Sequence, residues 1–215
     1  MRFEAFEEII SALKKSKLPG KVAQIQMAPP FREALIKRQK LQGKPFRKAA
    51  VLALFYPNKS NETMLVFIIR KSYDGVHSGQ IGFPGGKPEP VDDNLSQTAI
   101  RETWEEIGVS RSSIQLLKPL TELYIPPSNF NVSPFLGMTD FRPIFTLQTS
   151  EVQSIIEVPL SDILNIKNRI ETSVKTSYGP TVRVPSFEFQ GNIIWGATAM
   201  ILMEIVVLFQ QILKK

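Results

Sequence analysis

Cysteine is absent from the 215 residues, and histidine occurs once, at position 77. The first absence excludes disulfides, thiolate metal sites and a catalytic thiol, and it suits a reducing compartment. A single histidine excludes zinc sites built on several imidazoles. Any metal must therefore rest on oxygen ligands, which points to magnesium or manganese. No uncharged apolar run approaches the roughly 20 residues that span a bilayer. The most apolar stretch, 197–213, is interrupted by Glu204, Gln210 and Gln211 and reads as a buried helix. The first ten residues mix acids with apolar side chains, unlike a signal peptide, so a cytoplasmic location with no membrane partner is expected. Aromatics interleaved with basic residues, as RNA-binding surfaces carry them, are missing too. The formal charge is +6, and the basic residues form no single block: Lys14, Lys15 and Lys17 make one cluster and Lys37, Arg38, Lys40, Lys44, Arg47 and Lys48 a second. Both read as solvated surface rather than as a nucleic-acid footprint, and a polyanionic small substrate accounts for the charge equally well.

What is present follows an α/β pattern. Phe3, Phe6, Ile9, Ile10 and Leu13 recur at helical spacing and predict an amphipathic helix over 3–16, stopped by Leu18-Pro19-Gly20. Residues 21–47 are polar and basic and read as an extended connection packed over the domain. Aliphatic runs at 49–56 and 63–70 flank a turn at 57–61, a strand–turn–strand pattern. A glycine-rich loop over 75–86 precedes a helix over 95–107, closed by Gly108. Short strands are expected at 114–117, 120–124, 131–138 and 151–158, and a short helix at 160–166. A hairpin over 181–189 and 193–195 turns at Gln190-Gly191-Asn192, and a helix over 197–213 ends the chain. Trp195 reads as core, and Trp104 as core or an interface residue. One domain is the simplest account, with residues 1–47 as helix and connection and 48–215 as catalytic core. Both terminal helices have apolar faces that packing on their own domain or pairing into a homodimer explains equally.

Chemistry concentrates in one place. On a helix, Glu102, Glu105 and Glu106 stand at i, i+3 and i+4 and share a face. Three crowded like charges call for a cation. Arg101 and Lys87 supply part of it, and a divalent metal supplies it better. Upstream, Gly85 and Gly86 let the backbone approach a ligand closely, and a loop leading to a helix start offers N–H donors. Carboxylates beside such a loop suit attack of water on a phosphorus.

From Gly86 to Val109 the sequence resembles the Nudix box: Gly, five residues, Glu, seven residues, Arg-Glu-apolar-x-Glu-Glu-x-Gly-apolar. Here the interval before Arg101 is one residue longer, Asp92 or Asp93 replaces the upstream Glu, and Thr103 replaces an apolar residue. The resemblance implies a Nudix-type α/β/α sandwich with a mixed sheet and a central box helix. It also implies metal ligation at Glu102 and Glu106, with Gly86 in the metal site and Glu105 as a third ligand or partner of the metal's water. Arg101 would orient the carboxylates.

Flanking residues resemble the coenzyme A pyrophosphatase branch. Arg70, Gly79 and Phe83 to Gly86 fall at that branch's spacings, as do Ser133-Pro134-Phe135, Glu151-Val152 and Ile194-Trp195-Gly196. Lys71 and Gly75 depart from it, the latter standing where an arginine is expected. The branch implies hydrolysis of coenzyme A or acyl-coenzyme A with Mg2+ or Mn2+. Glu105, Glu106, Arg101 and Glu151 are its catalytic candidates, Glu151 as an outside base. Arg70, His77, Gly79, Phe83, Gly85 and Gly86 are its substrate-binding candidates. Two other readings stay open: hydrolysis of another nucleoside diphosphate derivative, such as ADP-ribose, and a non-catalytic binding module.

Overall fold

In a computed structural model that describes residues 1–43, 45–71, 80–176 and 179–214, a mixed sheet is covered by helices on both faces. Helix α1 (Phe3–Lys15) opens the chain; α2 (Lys21–Gln24), a short 3-10 turn and α3 (Arg32–Leu41) lead to β1 (Arg47–Pro57) and β2 (Thr63–Arg70). The two-residue strands β3 (Ile81–Gly82) and β4 (Gly85–Gly86) precede α4 (Leu95–Ile107). Then follow β5 (Gln115–Pro119), β6 (Leu123–Ile125), β7 (Phe130–Met138), β8 (Val152–Pro159) and α5 (Leu160–Leu164). Strands β9 (Arg169–Thr176), β10 (Gly179–Phe189) and β11 (Asn192–Trp195) and the helix α6 (Gly196–Leu213) complete the order.

β1 and β7 run parallel at the centre, and the other pairings in their sheet are antiparallel. Alternation along the strands sorts the core into two layers. Ala50, Leu52, Leu54 and Tyr56 of β1, with Met64, Val66 and Ile68 of β2, pack toward Ala99, Ile100 and Ile107 of α4. Ala53, Phe55, Leu65 and Phe67 point the other way, toward α1 and α6. Burial on both faces is why these strands read as continuous apolar runs. On the α6 side, Phe6 lies 5.1 Å from Phe55 and 6.0 Å from Phe209 between ring centroids, fastening both terminal helices to the sheet. By length and composition α6 could cross a membrane, but residues from Ala199 to Phe209 are almost all buried inside the protein. Both terminal helices thus turn their apolar faces to this chain's own core.

Two expectations need correction, and one strand was not foreseen. Residues 21–47 are not an extended connection: α2, the 3-10 turn and α3 occupy most of them. The expected C-terminal hairpin forms between β10 and β11, and β9, not expected as a strand, joins it in a three-stranded sheet ordered β11-β10-β9. Trp104 is not core: it is half exposed, with the Arg111 guanidinium 4.5 Å from its ring centroid.

The one charged residue buried in α6 ties the N-terminal segment down. Glu204 is fully buried and accepts hydrogen bonds from Gly20 N (3.2 Å), Gln24 Nε2 (2.9 Å) and Thr121 Oγ1 (2.6 Å). Removing the acceptor strands buried donors, which costs more than one hydrogen bond is worth. Glu204→Leu is expected to lower stability by about 2–4 kcal/mol, read from the urea midpoint, with hydrogen-exchange protection lost first around α2. An unchanged midpoint would mean that water satisfies those donors.

Candidate active site

Helix α4 holds the carboxylates because both its ends are fixed. Asn94 Oδ1 accepts from Ser96 N and Gln97 N at 3.0 and 3.2 Å, and Gly108 takes the left-handed conformation with φ of 76°. Between these caps, Glu102 and Glu106 face β4. The close approach there requires glycine: a Cβ at Gly86 would stand 2.3 Å from Glu102 Oε1, and one at Gly85 2.2 Å from the Ala50 carbonyl.

Glu106 is buried, and its Oε2 accepts from Gly85 N at 2.8 Å. Arg70 Nη1 pairs with Glu106 Oε1 at 3.0 Å while its Nη2 donates to the Gly85 carbonyl at 2.9 Å. One arginine at the end of β2 thus joins box helix and glycine strand. Burial pushes the Glu106 carboxyl up to about 7, against the pull of Arg70 and the Gly85 N–H, and Glu102 and Glu151 push it further up. The Glu102 carboxyl is raised too, chiefly by burial, with Arg101 opposing.

Arg101 is 3% exposed and sits among acids. Its Nε meets Asp92 Oδ1 at 2.9 Å, Nη1 meets Glu105 Oε2 at 2.8 Å, and Nη2 meets Glu102 Oε1 at 3.1 Å. Nη2 also donates to the Lys87 carbonyl at 2.8 Å, which locks the strand leaving β4 against the helix. Those hydrogen bonds hold the Asp92 carboxyl down at about 2. Asp92 therefore fills the upstream acid position of the box; its signal in the sequence was its distance from Gly86, but it was not among the expected site residues.

Glu105 is 39% exposed and shared between Arg101 and Arg111. Glu151 lies in the turn just before β8, exposed, its carbonyl accepting from Lys71 N at 2.8 Å. It faces the site closely enough to raise both Glu102 and Glu106. Lys87 does not help neutralise the glutamates through its ammonium: among the described residues that group has no carboxylate partner. Gly75, His77 and Gly79 lie outside the described residues.

Carboxylates that raise one another, backed by a backbone cradle too tight for any side chain, form an oxygen-rich, electron-rich donor set that fits a hard divalent cation. Among the described residues no three acids converge into a complete cage; Arg70, Arg101 and the Gly85 N–H engage their oxygens instead.

Beside this cluster opens a cavity of about 340 Å³. Arg70, Phe83, Gly85, Gly86 and Lys87 form the end next to the carboxylates. Phe31, Arg32 and Leu35 of the N-terminal segment, Phe130 of β7 and Trp195 form its walls. Trp195 is thus half buried on a cavity wall rather than core, a role its place in the Ile194-Trp195-Gly196 run could have suggested. Ser128 also lines the cavity, and its buried Oγ has no hydrogen-bond partner.

Comparison with known proteins fits this geometry. The NUDIX domain pattern matches residues 46–172. Uncharacterized Nudix hydrolase NudL of Yersinia enterocolitica is 32% identical over 66% of this chain and 71% of its own length. The protein of that name from Yersinia pestis is 31% identical over 73% of this chain and 76% of its own. Among solved structures, a MutT protein from Methanosarcina mazei shares the fold at a TM-score of 0.50 and 18% identity, covering 80% of this chain and 98% of that one. The chain belongs to the Nudix hydrolase family and is a pyrophosphohydrolase, of a class that cleaves nucleoside diphosphate derivatives with a divalent metal ion.

Proposed function

We propose that the substrate is coenzyme A or an acyl derivative, cleaved by water to 3′,5′-ADP and 4′-phosphopantetheine or its acyl form, in the cytoplasm, by the chain acting as one domain. The observation that carries this is the cavity itself. Its walls are mostly apolar, and it opens at the carboxylate cluster. A long arm of methylenes broken by amides suits such a lining better than a ribose does. The sequence spacing of Arg70 and Phe83 to Gly86 supports the same branch.

Glu102 and Glu106, with Gly86, would hold Mg2+ or Mn2+, which neutralises phosphate oxygens and makes water a better nucleophile. The chain's residues do the rest. Arg101 keeps Glu102 and Glu105 in place. Arg70 fixes Glu106 and leaves the diphosphate a cationic neighbour at the cavity end. The water oxygen bonds to one phosphorus, the bridging P–O bond breaks, and Glu151, the exposed acid of the cluster, takes the water's proton.

The test offers coenzyme A, ADP-ribose and a nucleoside triphosphate in turn, each with magnesium or manganese, with products identified by mass. Coenzyme A is expected to give 3′,5′-ADP and phosphopantetheine. Turnover of another substrate alone would remove the coenzyme A branch and keep the hydrolase.

A further inference from the structure

Arg47, Ala49 and Val51 follow one another on one face of β1, so Arg47 stands at the rim of the cavity that Ala49 and Val51 line. The parallel register with β7 sets Arg47 directly opposite Phe130. Its guanidinium carbon lies 4.2 Å from the Phe130 ring centroid, and Lys87 Nζ lies 6.0 Å from the same centroid. Arg47 Nη2 is tied to the Ser128 carbonyl at 2.5 Å, and the backbone of Lys87 is tied through its carbonyl to Arg101. Two cations, one on β1 and one just after β4, are therefore gathered on one aromatic ring.

Neither cation has a carboxylate within ion-pair distance among the described residues, whereas Arg70, Arg101, Arg111 and Arg142 all do. Charge along this cleft is segregated: acids at the box helix, unpaired cations at the rim. The acids and their metal answer the scissile diphosphate. The rim pair is left to answer a different anion.

We infer that Arg47 and Lys87, held by Phe130, form a subsite for a phosphate monoester carried elsewhere on the substrate. The inference rests on the coenzyme A reading, in which that group is the 3′-phosphate of the adenosine half. It makes the rim a specificity-determining site: coenzyme A presents a dianionic group there near neutral pH, and its 3′-dephospho form presents a hydroxyl. It also orients the substrate. The adenosine half lies by Phe130, and the arm runs along Phe31, Leu35 and Trp195.

The experiment compares kcat/KM for coenzyme A and 3′-dephospho-coenzyme A in the wild type, Arg47→Met, Lys87→Met and the double variant. Lys59→Met, in the turn after β1, is the control. A charge-assisted contact corresponds to about tenfold to a hundredfold in binding. The wild type is expected to prefer coenzyme A by about that factor. The preference should shrink in each single variant, vanish in the double variant, persist in Lys59→Met, and weaken with salt. Equal rates on both substrates in the wild type would overturn the inference and leave the coenzyme A reading standing. So would a double variant that loses both substrates in proportion, since the cations would then serve the diphosphate. A wild type that cleaves neither substrate overturns the coenzyme A reading and this inference with it.

Discussion

Glu106→Gln is expected to reduce turnover by about a thousandfold while leaving the protein folded. The side chain is nearly the same size, so the layer between α4 and β4 stays filled. What disappears is the charge that Arg70 and the Gly85 N–H are arranged around. A neutral amide no longer attracts a divalent cation, and one of its own N–H groups is set against a donor. Electrostatic stabilisation by such a cation amounts to several kcal/mol, and at about 1.4 kcal/mol per tenfold this is roughly a thousandfold. The measurement is kcat/KM at saturating metal together with Mn2+ affinity by titration calorimetry, and both should fall. Glu105→Gln is the comparison, because Glu105 is more than a third exposed and already shared between Arg101 and Arg111. Its loss should be nearer tenfold. An equal loss at the two positions would move the ligand set along the helix toward Glu105.

Much of this site could be read in advance because its parts are local. The three glutamates fall on one face by helical period alone, and Asn94 and Gly108 mark where that helix begins and ends. Strands β1 and β2 announced themselves as apolar runs because both their faces are covered. The remainder depends on distant segments. Arg70 and Glu106 are 36 positions apart and meet only because the end of β2 and the face of α4 both reach Gly85. Strand β9 carries Arg169, Glu171 and Lys175 and owes its conformation to pairing with β10, so composition hides it. Helix α3 is polar nearly all round, and Arg32 anchors its start to the Tyr124 carbonyl at 2.7 Å; no apolar stripe betrays such a helix. Trp195 read as core because a large aromatic beside apolar residues usually is, and only the cavity reveals its other side.

Arg101→Met should be the most damaging single change to the fold near the site. The guanidinium is 3% exposed, and its partner Asp92 has a side chain only 2% exposed. Deleting the cation leaves the buried Asp92 carboxylate with only the Glu89 N–H and the Thr98 hydroxyl, frees Glu102 and Glu105 to repel each other, and releases the Lys87 carbonyl. Breaking a buried pair from one side costs about 3–5 kcal/mol, which for a chain of this size lowers Tm by roughly 10 °C. Arg101→Lys should recover little, since an ammonium cannot bridge Asp92 and Glu105 at once. The pH dependence supplies a second readout. Asp92 titrates at about 2 in the fold against 3.8 for the free side chain. Its stabilising contribution is therefore complete above about pH 4 and is lost as pH falls toward 2. In Arg101→Met that contribution shrinks, because only the Glu89 N–H and the Thr98 hydroxyl remain to hold the charge against burial. The Tm difference between wild type and variant should be widest above pH 5 and close as pH drops through 4 toward 2. A difference that stays constant over that range would show that Asp92 is not the group Arg101 stabilises. Replacing Asp92 by Asn in the same background should then recover part of the loss at neutral pH, because the unpaired charge that carries the cost is gone.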